Sequence, residues 1–320
     1  MARVLVTRRL PGGSTAPLTE AGHTVLGGTT DDAWDPNALA EALGTVDGVV
    51  CLLADRVDAS LLQAGAAGGL KVVANVAVGY DNIDVAAAEA LGIVVCNTPG
   101  VLDQSTADLA FLLVLAASRL ASEAESDLRA GRWSGWGITQ YLGRDVHGAV
   151  LGVVGYGRIG RAVAARARGF GMAVLHHSRR PTGEAGFVAG LDELLERSDI
   201  VSLHVPFTEE TRHLIGRREL ERLGPDGVLV NTARGPVVDE EALAEALHDG
   251  TIFAAGLDVF EREPAVHPRL LSAPRTVLLP HIGSATTATR TAMATLACRQ
   301  VVDVLAGRRP AHPVSAGRRL

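Results

Sequence analysis

A few short stretches carry the residues that could do chemistry. Gly155-Tyr156-Gly157-Arg158-Ile159-Gly160 follows the apolar run Ala149–Val154. Glycines at this spacing suit a dinucleotide. Gly155 permits a tight turn, Gly157 lets backbone approach a pyrophosphate, and Gly160 lets a helix pack closely on the strand. The first N–H groups of that helix then point at the phosphates. The next strand-like run ends in His176-His177-Ser178-Arg179-Arg180-Pro181, with Ser178 where an NAD site carries an acid for the ribose 2′-OH. A carboxylate there would repel a 2′-phosphate. A serine can hydrogen-bond it, and Arg179 or Arg180 can grip it through a forked contact. These residues point to NADP(H), with NAD(H) as the alternative; the competing reading is a solvated loop in an arginine-rich chain. Three more polar segments end apolar runs: Asn231-Thr232-Ala233-Arg234-Gly235, Asp258-Val259-Phe260-Glu261-Arg262-Glu263-Pro264, and Pro280-His281-Ile282-Gly283-Ser284-Ala285-Thr286. Open α/β sheets bind ligands at such strand ends. Arg234, Glu263 and His281 could converge there, although spacing alone does not bring them together, and a lone histidine after an apolar strand is more often structural.

The elements that must position them alternate in type. In the second half, Val150–Val154, Ala173–His177, Ile200–Leu203, Val228–Asn231, Ala254–Asp258 and Thr276–Leu279 read as strands. Leu191–Glu196, a short Thr211–Ile215 and Asp239–His248 read as helices between them. The first half alternates likewise. Its strands are Arg3–Thr7, Gly22–Val25, Val46–Leu53, Lys71–Val76 and Gly92–Cys96, and its helices Leu18–Ala21, Pro36–Leu43, Ala59–Ala67 and Asp84–Leu91. Alternation of this kind predicts two α/β domains with doubly wound parallel sheets. The first strand of the N-terminal array has no glycine phosphate loop after it, which marks that array as a substrate domain. One long helix, Asp103–Ala121, is expected to lead into the second domain, and another, Thr287–Leu305, to return to the first. The cofactor domain is therefore inserted: residues 1–98 with 286–320 form the substrate domain and 99–285 the dinucleotide domain.

Length and composition bound the rest. A chain of 320 residues can bury two cores. The formal net charge of −6 argues against a general nucleic-acid binder. Lys71 is the only lysine, a bias better explained by base composition than by function. Cys51, Cys96 and Cys298 form no CxxC pair and suit reduced core positions and a cytoplasmic setting. The N-terminus has no signal-peptide core, and the longest apolar run is too short to span a bilayer. No HExxH or paired Cys/His spacing calls for a metal.

Taken together, the segments around Arg234, Glu263 and His281 and the glycine loop resemble the signature of the D-isomer-specific 2-hydroxyacid dehydrogenases. The likeness extends in order through Val78-Gly79-Tyr80-Asp81-Asn82-Ile83-Asp84, Asn97-Thr98-Pro99, Ala107-Asp108 and His204-Val205-Pro206. Asn75–Asn82 and Ser178-Arg179 are most similar to the glyoxylate/hydroxypyruvate reductases within that family. The resemblance implies a flavodoxin-like substrate domain and a Rossmann cofactor domain. It also implies hydride transfer between a nicotinamide and C2 of a small 2-oxo acid.

On these positions the implied roles make physical sense. His281 would protonate the oxygen at C2 as general acid. Glu263 would hold the other imidazole nitrogen and favour the imidazolium. Arg234 would bind the substrate carboxylate and polarise the carbonyl, with the N–H groups of Val78 and Gly79 also on the carboxylate. Ser284 is implied as a further substrate contact. Leu53 would wall the pocket unless it is a core leucine. Trp136 or Trp133 would reach a neighbouring subunit's site unless it packs within its own chain. Thr106, Tyr156, Arg158, Ile159, His204, Val205, Pro206, Thr211, Thr232, Ala233, Asp258 and Gly283 complete the implied cofactor contacts, with the glycines, Ser178, Arg179, Arg180 and His281. A homodimer through the cofactor domain is expected from the family alone. Two other functions fit less well: an NAD-dependent D-3-phosphoglycerate dehydrogenase, whose phosphate would find no basic side chain in Val76–Gly79, and a dinucleotide-sensing corepressor, which would not need the catalytic set.

Overall fold

A computed structural model describes residues 1–315; the expected end of the substrate domain at residue 320 lies outside the described residues. The chain divides into two compact units, Met1–Leu102 with Ser284 onward, and Asp103–Gly283.

The first unit holds β1 (Arg3–Val6), α1 (Ala16–Glu20), β2 (Thr24–Gly27), α2 (Pro36–Leu43), β3 (Gly48–Cys51), α3 (Ala59–Gly68), β4 (Val72–Asn75), α4 (Val85–Ala90) and β5 (Val94–Cys96). Aspartates cap three of its helices: Asp35, Asp58 and Asp84 accept the first free amides of α2, α3 and α4. The strands β2-β1-β3-β4-β5 pair in parallel, an order of the flavodoxin type. Two apolar clusters cover the two faces of this sheet, one around Leu43, Leu62 and Val73 and the other around Val4, Val72 and Val301.

The second unit holds α5 (Asp103–Ser118), α6 (Ala121–Arg129), β6 (Val150–Val154), α7 (Arg158–Gly169), β7 (Ala173–His177), α8 (Leu191–Glu196), β8 (Ile200–Leu203), α9 (Arg217–Leu223), β9 (Val228–Asn231), α10 (Glu240–Asp249), β10 (Ala254–Leu257), α11 (Pro268–Leu271) and β11 (Thr276–Leu278). Its sheet, β7-β6-β8-β9-β10-β11, is wholly parallel. A single bridge from His176 to Phe187 adds the trace of a strand outside β7. Counting that trace, the order becomes that of a dinucleotide fold, 3-2-1 followed by the later strands. The order reverses between β6 and β8, so the crevice for a ligand opens beyond their carboxyl ends. After Gly283 the chain re-enters the first unit through α12 (Thr287–Leu305), which packs on α1, β3, β4 and β5. β12 (Pro313–Val314) then pairs antiparallel with β5.

Three expectations change. The long helix Asp103–Ala121 stops at Ser118, because the chain at Gly143-Arg144 crosses its end: Arg144 N–H takes the Ser118 carbonyl at 2.7 Å. Leu120 turns left-handed at φ 52° before α6 starts. The short helix at Thr211–Ile215 is instead a 3-10 turn at Glu209–Thr211. Beyond that turn the chain extends, and Ile215 bridges to Val238. The helix α9 was not foreseen; its apolar anchors, Leu220 and Leu223, have charged residues on all sides in sequence.

Candidate active site

The glycine turn lies where the expectation put it, and each glycine answers to a different constraint. Gly155 is left-handed at φ 95°, and a Cβ there would strike the His204 carbonyl carbon at 2.6 Å, so this turn packs against the end of β8. A Cβ on Gly160 would sit 2.2 Å from the Gly155 carbonyl oxygen, so only glycine lets α7 come this close to its own strand. Gly157 is different. Its φ of −82° is open to any residue, and a Cβ would touch nothing within 4 Å. Neither backbone conformation nor packing calls for glycine there, which leaves close approach of a ligand as the reason. Gly157 is also the N-cap of α7 and offers no side chain, so the first amides of that helix are free for an anion.

Around this turn, buried polar atoms lack partners among the described residues. Thr232 Oγ1, just past β9, is buried and unpaired. His204 Nε2 meets Ser202 Oγ at 2.9 Å while its Nδ1 is buried without a partner. Burial pushes the imidazole of His204 down to about 4, so it is neutral at physiological pH. An open cradle of amides with orphaned hydroxyl and imidazole groups beside it fits a polyphosphate dinucleotide. Thr106 is buried in the same unit, within reach of Gly283, where a Cβ would lie 3.6 Å from its hydroxyl. Thr211 differs: its hydroxyl is spent on the Pro206 carbonyl and the Thr208 amide, closing its own turn. The Tyr156 side chain turns inward, leaving only its backbone for a ligand.

Arg234, Glu263 and His281 all lie in this unit, and two of them touch. His281 Nδ1 lies 2.7 Å from Glu263 Oε2, and the other Glu263 oxygen accepts the Phe260 amide at 3.0 Å. Burial pushes the Glu263 carboxyl up, but the hydrogen bond and charge of His281, the Phe260 amide and the nearby Arg234 guanidinium more than offset it. The net result holds Glu263 below the usual carboxylate range. Arg234 is presented by a turn that Asn231 closes: Asn231 Nδ2 donates to the Arg234 carbonyl at 2.9 Å and its Oδ1 accepts the Ala233 amide at 2.9 Å. Gly235 then packs so tightly on the Phe260 backbone that any Cβ would overlap it.

Asp258 is almost fully buried and takes the amides of Ile282 and Gly283 at 2.7 and 2.8 Å. Its carboxylate thus ties down the loop that carries His281, whose own backbone is left-handed at φ 54°. Burial pushes the Asp258 carboxyl up, against the pull of those two amides.

In the first unit, the turn after β4 is held by its carbonyls. Thr98 N–H takes the Ala77 oxygen at 2.8 Å, Asn97 Nδ2 the Val78 oxygen at 2.7 Å, and Asn75 Nδ2 the Gly79 oxygen at 2.9 Å. Asn97 is in turn anchored by Gln300 of α12, which donates to its carbonyl at 2.9 Å. Among the described residues the N–H groups of Val78 and Gly79 have no partner. Leu53 is half-buried at the end of β3 and lies outside the apolar clusters, so the core-leucine reading fails. Ser284 is half-buried, and its carbonyl accepts Thr286 N–H at the start of α12. Trp136 and Trp133 are 80% and 50% exposed, which removes the reading of either as a packing residue of its own chain.

With this geometry in view, residues 111–283 match the profile of the D-isomer specific 2-hydroxyacid dehydrogenase NAD-binding domain. The chain belongs to the D-isomer-specific 2-hydroxyacid dehydrogenase family. It is 44% identical to a glyoxylate reductase of Thermococcus onnurineus over 96% of this chain and 94% of that protein. A glyoxylate reductase structure from Paecilomyes thermophila superposes with a TM-score of 0.87 at 33% identity, covering 99% of each chain. An NADPH-dependent glyoxylate/hydroxypyruvate reductase of Sinorhizobium meliloti, solved with NADP and malonate, superposes at 0.85 with 35% identity over 99% of each chain. As a member of this dehydrogenase family the chain is an NAD(P)-dependent oxidoreductase acting on 2-oxo and 2-hydroxy acids.

Several contributors were not singled out from the sequence. Asn75, Asn97 and Gln300 hold the Val78-Gly79 turn, and Asn231 shapes the Arg234 turn. An asparagine directly after an apolar strand is the only local signal, and it does not say which carbonyl the side chain will take. Among the described residues no group of three or more His, Cys, Asp or Glu could hold a metal ion. No single helix among them is long and apolar enough to cross a membrane.

Proposed function

We propose that this dehydrogenase is an NADPH-preferring reductase of glyoxylate and hydroxypyruvate, yielding D-2-hydroxy acids. The observation that carries the reading is the His281–Glu263 pair at 2.7 Å with Arg234 beside it, in the unit that holds the glycine turn. When bound, the nicotinamide supplies or accepts the hydride. Arg234 grips the substrate carboxylate and polarises the C2 carbonyl, a forked contact that lysine makes poorly. His281 gives its Nε2 proton to the oxygen at C2 as negative charge develops there, while Glu263 holds Nδ1 and sets the ring's orientation.

The NADP(H) preference rests on the end of β7. Ser178 stands where an acid would exclude a 2′-phosphate. Among the described residues Arg179 has one carboxylate near it, Glu210 at 3.9 Å, and Arg180 is exposed, so both guanidinium groups are open to a phosphate. The Sinorhizobium meliloti relative is NADPH-dependent, which supports the same choice. A homodimer through the cofactor domain is part of the proposal. It would cover the exposed Leu128, Trp133, Trp136, Ile138 and Leu142, an apolar run that a monomer would leave in water.

The deciding experiment is a panel of 2-oxo acids assayed with NADPH and with NADH by loss of nicotinamide absorbance. Glyoxylate and hydroxypyruvate should give the highest kcat/KM, and NADPH should outperform NADH. Turnover confined to longer or phosphorylated acids would overturn the substrate assignment, and an NADH preference would overturn the cofactor assignment.

A further inference from the structure

We infer that Thr182, Glu184, His176 and Arg161 form a clasp that sets the affinity of the Ser178–Pro181 loop for the 2′-phosphate of NADP(H). This inference rests on the cofactor reading above, since it concerns the same loop. Its observations are separate from those that suggested the cofactor.

The loop leaves β7 and returns at Phe187, where His176 N–H takes the Gly186 carbonyl and Val188 N–H takes the His176 carbonyl, each at 2.8 Å. Between these anchors the chain bears the three residues expected at the phosphate. Ser178 Oγ donates to the Arg180 carbonyl at 2.7 Å, which makes the arginine-bearing turn compact. The far side of the loop is what the clasp holds. Thr182 Oγ1 meets His176 Nε2 at 2.7 Å and accepts the Glu184 amide at 3.2 Å. Glu184 pairs with Arg161 of α7.

The post to which the loop is tied is rigid. His176 is fully buried and stacks on Tyr156 with ring centroids 3.7 Å apart and planes 17° from parallel. The Arg161 guanidinium lies over the other parts of this stack, 4.7 Å from the Tyr156 ring centre, and Arg168 donates to the Tyr156 hydroxyl at 3.2 Å. Burial, then the charges of Arg161 and Arg168, push the His176 imidazole down and keep it neutral. The second residue of the glycine turn and the tip of the phosphate loop are therefore joined through one imidazole.

A forked grip on a phosphate is strongly geometric, so a loop fixed before binding loses less entropy on binding than a mobile one. Releasing the clasp should weaken the contact to the 2′-phosphate and leave the rest of the dinucleotide untouched. Thr182, Glu184, His176 and Arg161 are positioning residues in this account, because none of them is required to touch the phosphate.

The test titrates wild type, Thr182→Val, Thr182→Ser and Glu184→Gln with NADPH and with NADH by calorimetry, alongside kcat and Tm. Thr182→Val should lower NADPH affinity about fivefold to tenfold, as loss of one or two hydrogen bonds predicts, with NADH affinity and kcat unchanged. Thr182→Ser should restore the wild-type value, and Glu184→Gln should fall between. The wild-type ratio of the two affinities judges the cofactor reading, whereas the change in that ratio on substitution judges the clasp. A ratio unchanged in both Thr182→Val and Glu184→Gln would overturn the clasp, as would equal weakening of NADPH and NADH with a fall in Tm.

Discussion

Replacing Glu263 by glutamine separates the charge of the His281 partner from its shape. The amide oxygen can still accept from His281 Nδ1, but the glutamine NH2 then faces the Phe260 N–H, which loses its acceptor at a cost of about 1–3 kcal/mol in stability that Tm reads separately. At the histidine, what is lost is the charge assistance of a 2.7 Å contact. A hydrogen bond to an ionised group contributes about 1.5–3 kcal/mol against about 1 for a neutral one. The His281 and Glu263 side chains are 33% and 35% exposed, so solvent screens part of this. The remaining difference is about 1–1.5 kcal/mol, or roughly a fivefold to tenfold fall in kcat for reduction near neutral pH. KM for the 2-oxo acid should change little, because the proposed carboxylate ligand is Arg234 and not Glu263.

The pH dependence has a definite sign. The Glu263 carboxyl is depressed in the folded protein, so its pairing is complete above its ordinary value of 4.5 and is lost only as pH falls through the lower, folded value. Acid-side loss of activity from this pair should therefore appear below pH 4.5 in the wild type and be absent from the variant. The assay is steady-state NADPH oxidation with hydroxypyruvate across pH. A Glu263→Gln enzyme within about twofold of wild type from about pH 5 to about pH 8 would refute the role given to the pair.

Two further outcomes follow from buried groups near the glycine turn. Thr232→Val removes a buried hydroxyl that has no partner among the described residues. The variant should be slightly more stable without cofactor, by about 0.5–1 kcal/mol, yet bind it several-fold more weakly; a loss of stability with unchanged cofactor affinity in calorimetry would contradict that. His204 is pushed down to about 4 from 6.5. A histidine depressed in the folded state contributes stability above pH 6.5 that is lost as pH falls towards 4, at most about 3 kcal/mol. Thermal melts of wild type should show this loss over that window, and a His204→Gln variant should show a shallower one.

Much of the fold was legible because parallel strands covered on both faces leave uninterrupted apolar runs. Ile200–Leu203 and Val228–Asn231, buried at every position, keep their expected bounds for that reason. The helix starts expected at Pro36 and Ala59 hold in the structure, where Asp35 and Asp58 cap them. The segments carrying Arg234, Glu263 and His281 were legible as strand ends, and the family followed from their order. Misreadings fell where a distant segment intervened. Nothing near Ser118 announces that Arg144 will take its carbonyl and end α5. Nothing near Phe187 says that one residue will bridge to His176 and complete the strand order.

The sequence by itself thus determined the alternation of elements, the two α/β units and the strand ends that carry Arg234, Glu263 and His281, since each depends on residue type and local spacing. Tertiary structure decided how those groups are held. The 2.7 Å approach of Glu263 to His281, the Asn97 side chain on the Val78 carbonyl and the pairing of Arg161 with Glu184 all join residues far apart in the chain. Hydrogen bonds reach about 3 Å and demand direction. Whether two side chains satisfy that is set by how whole strands and helices pack, a quantity to which each residue's immediate neighbours contribute almost nothing.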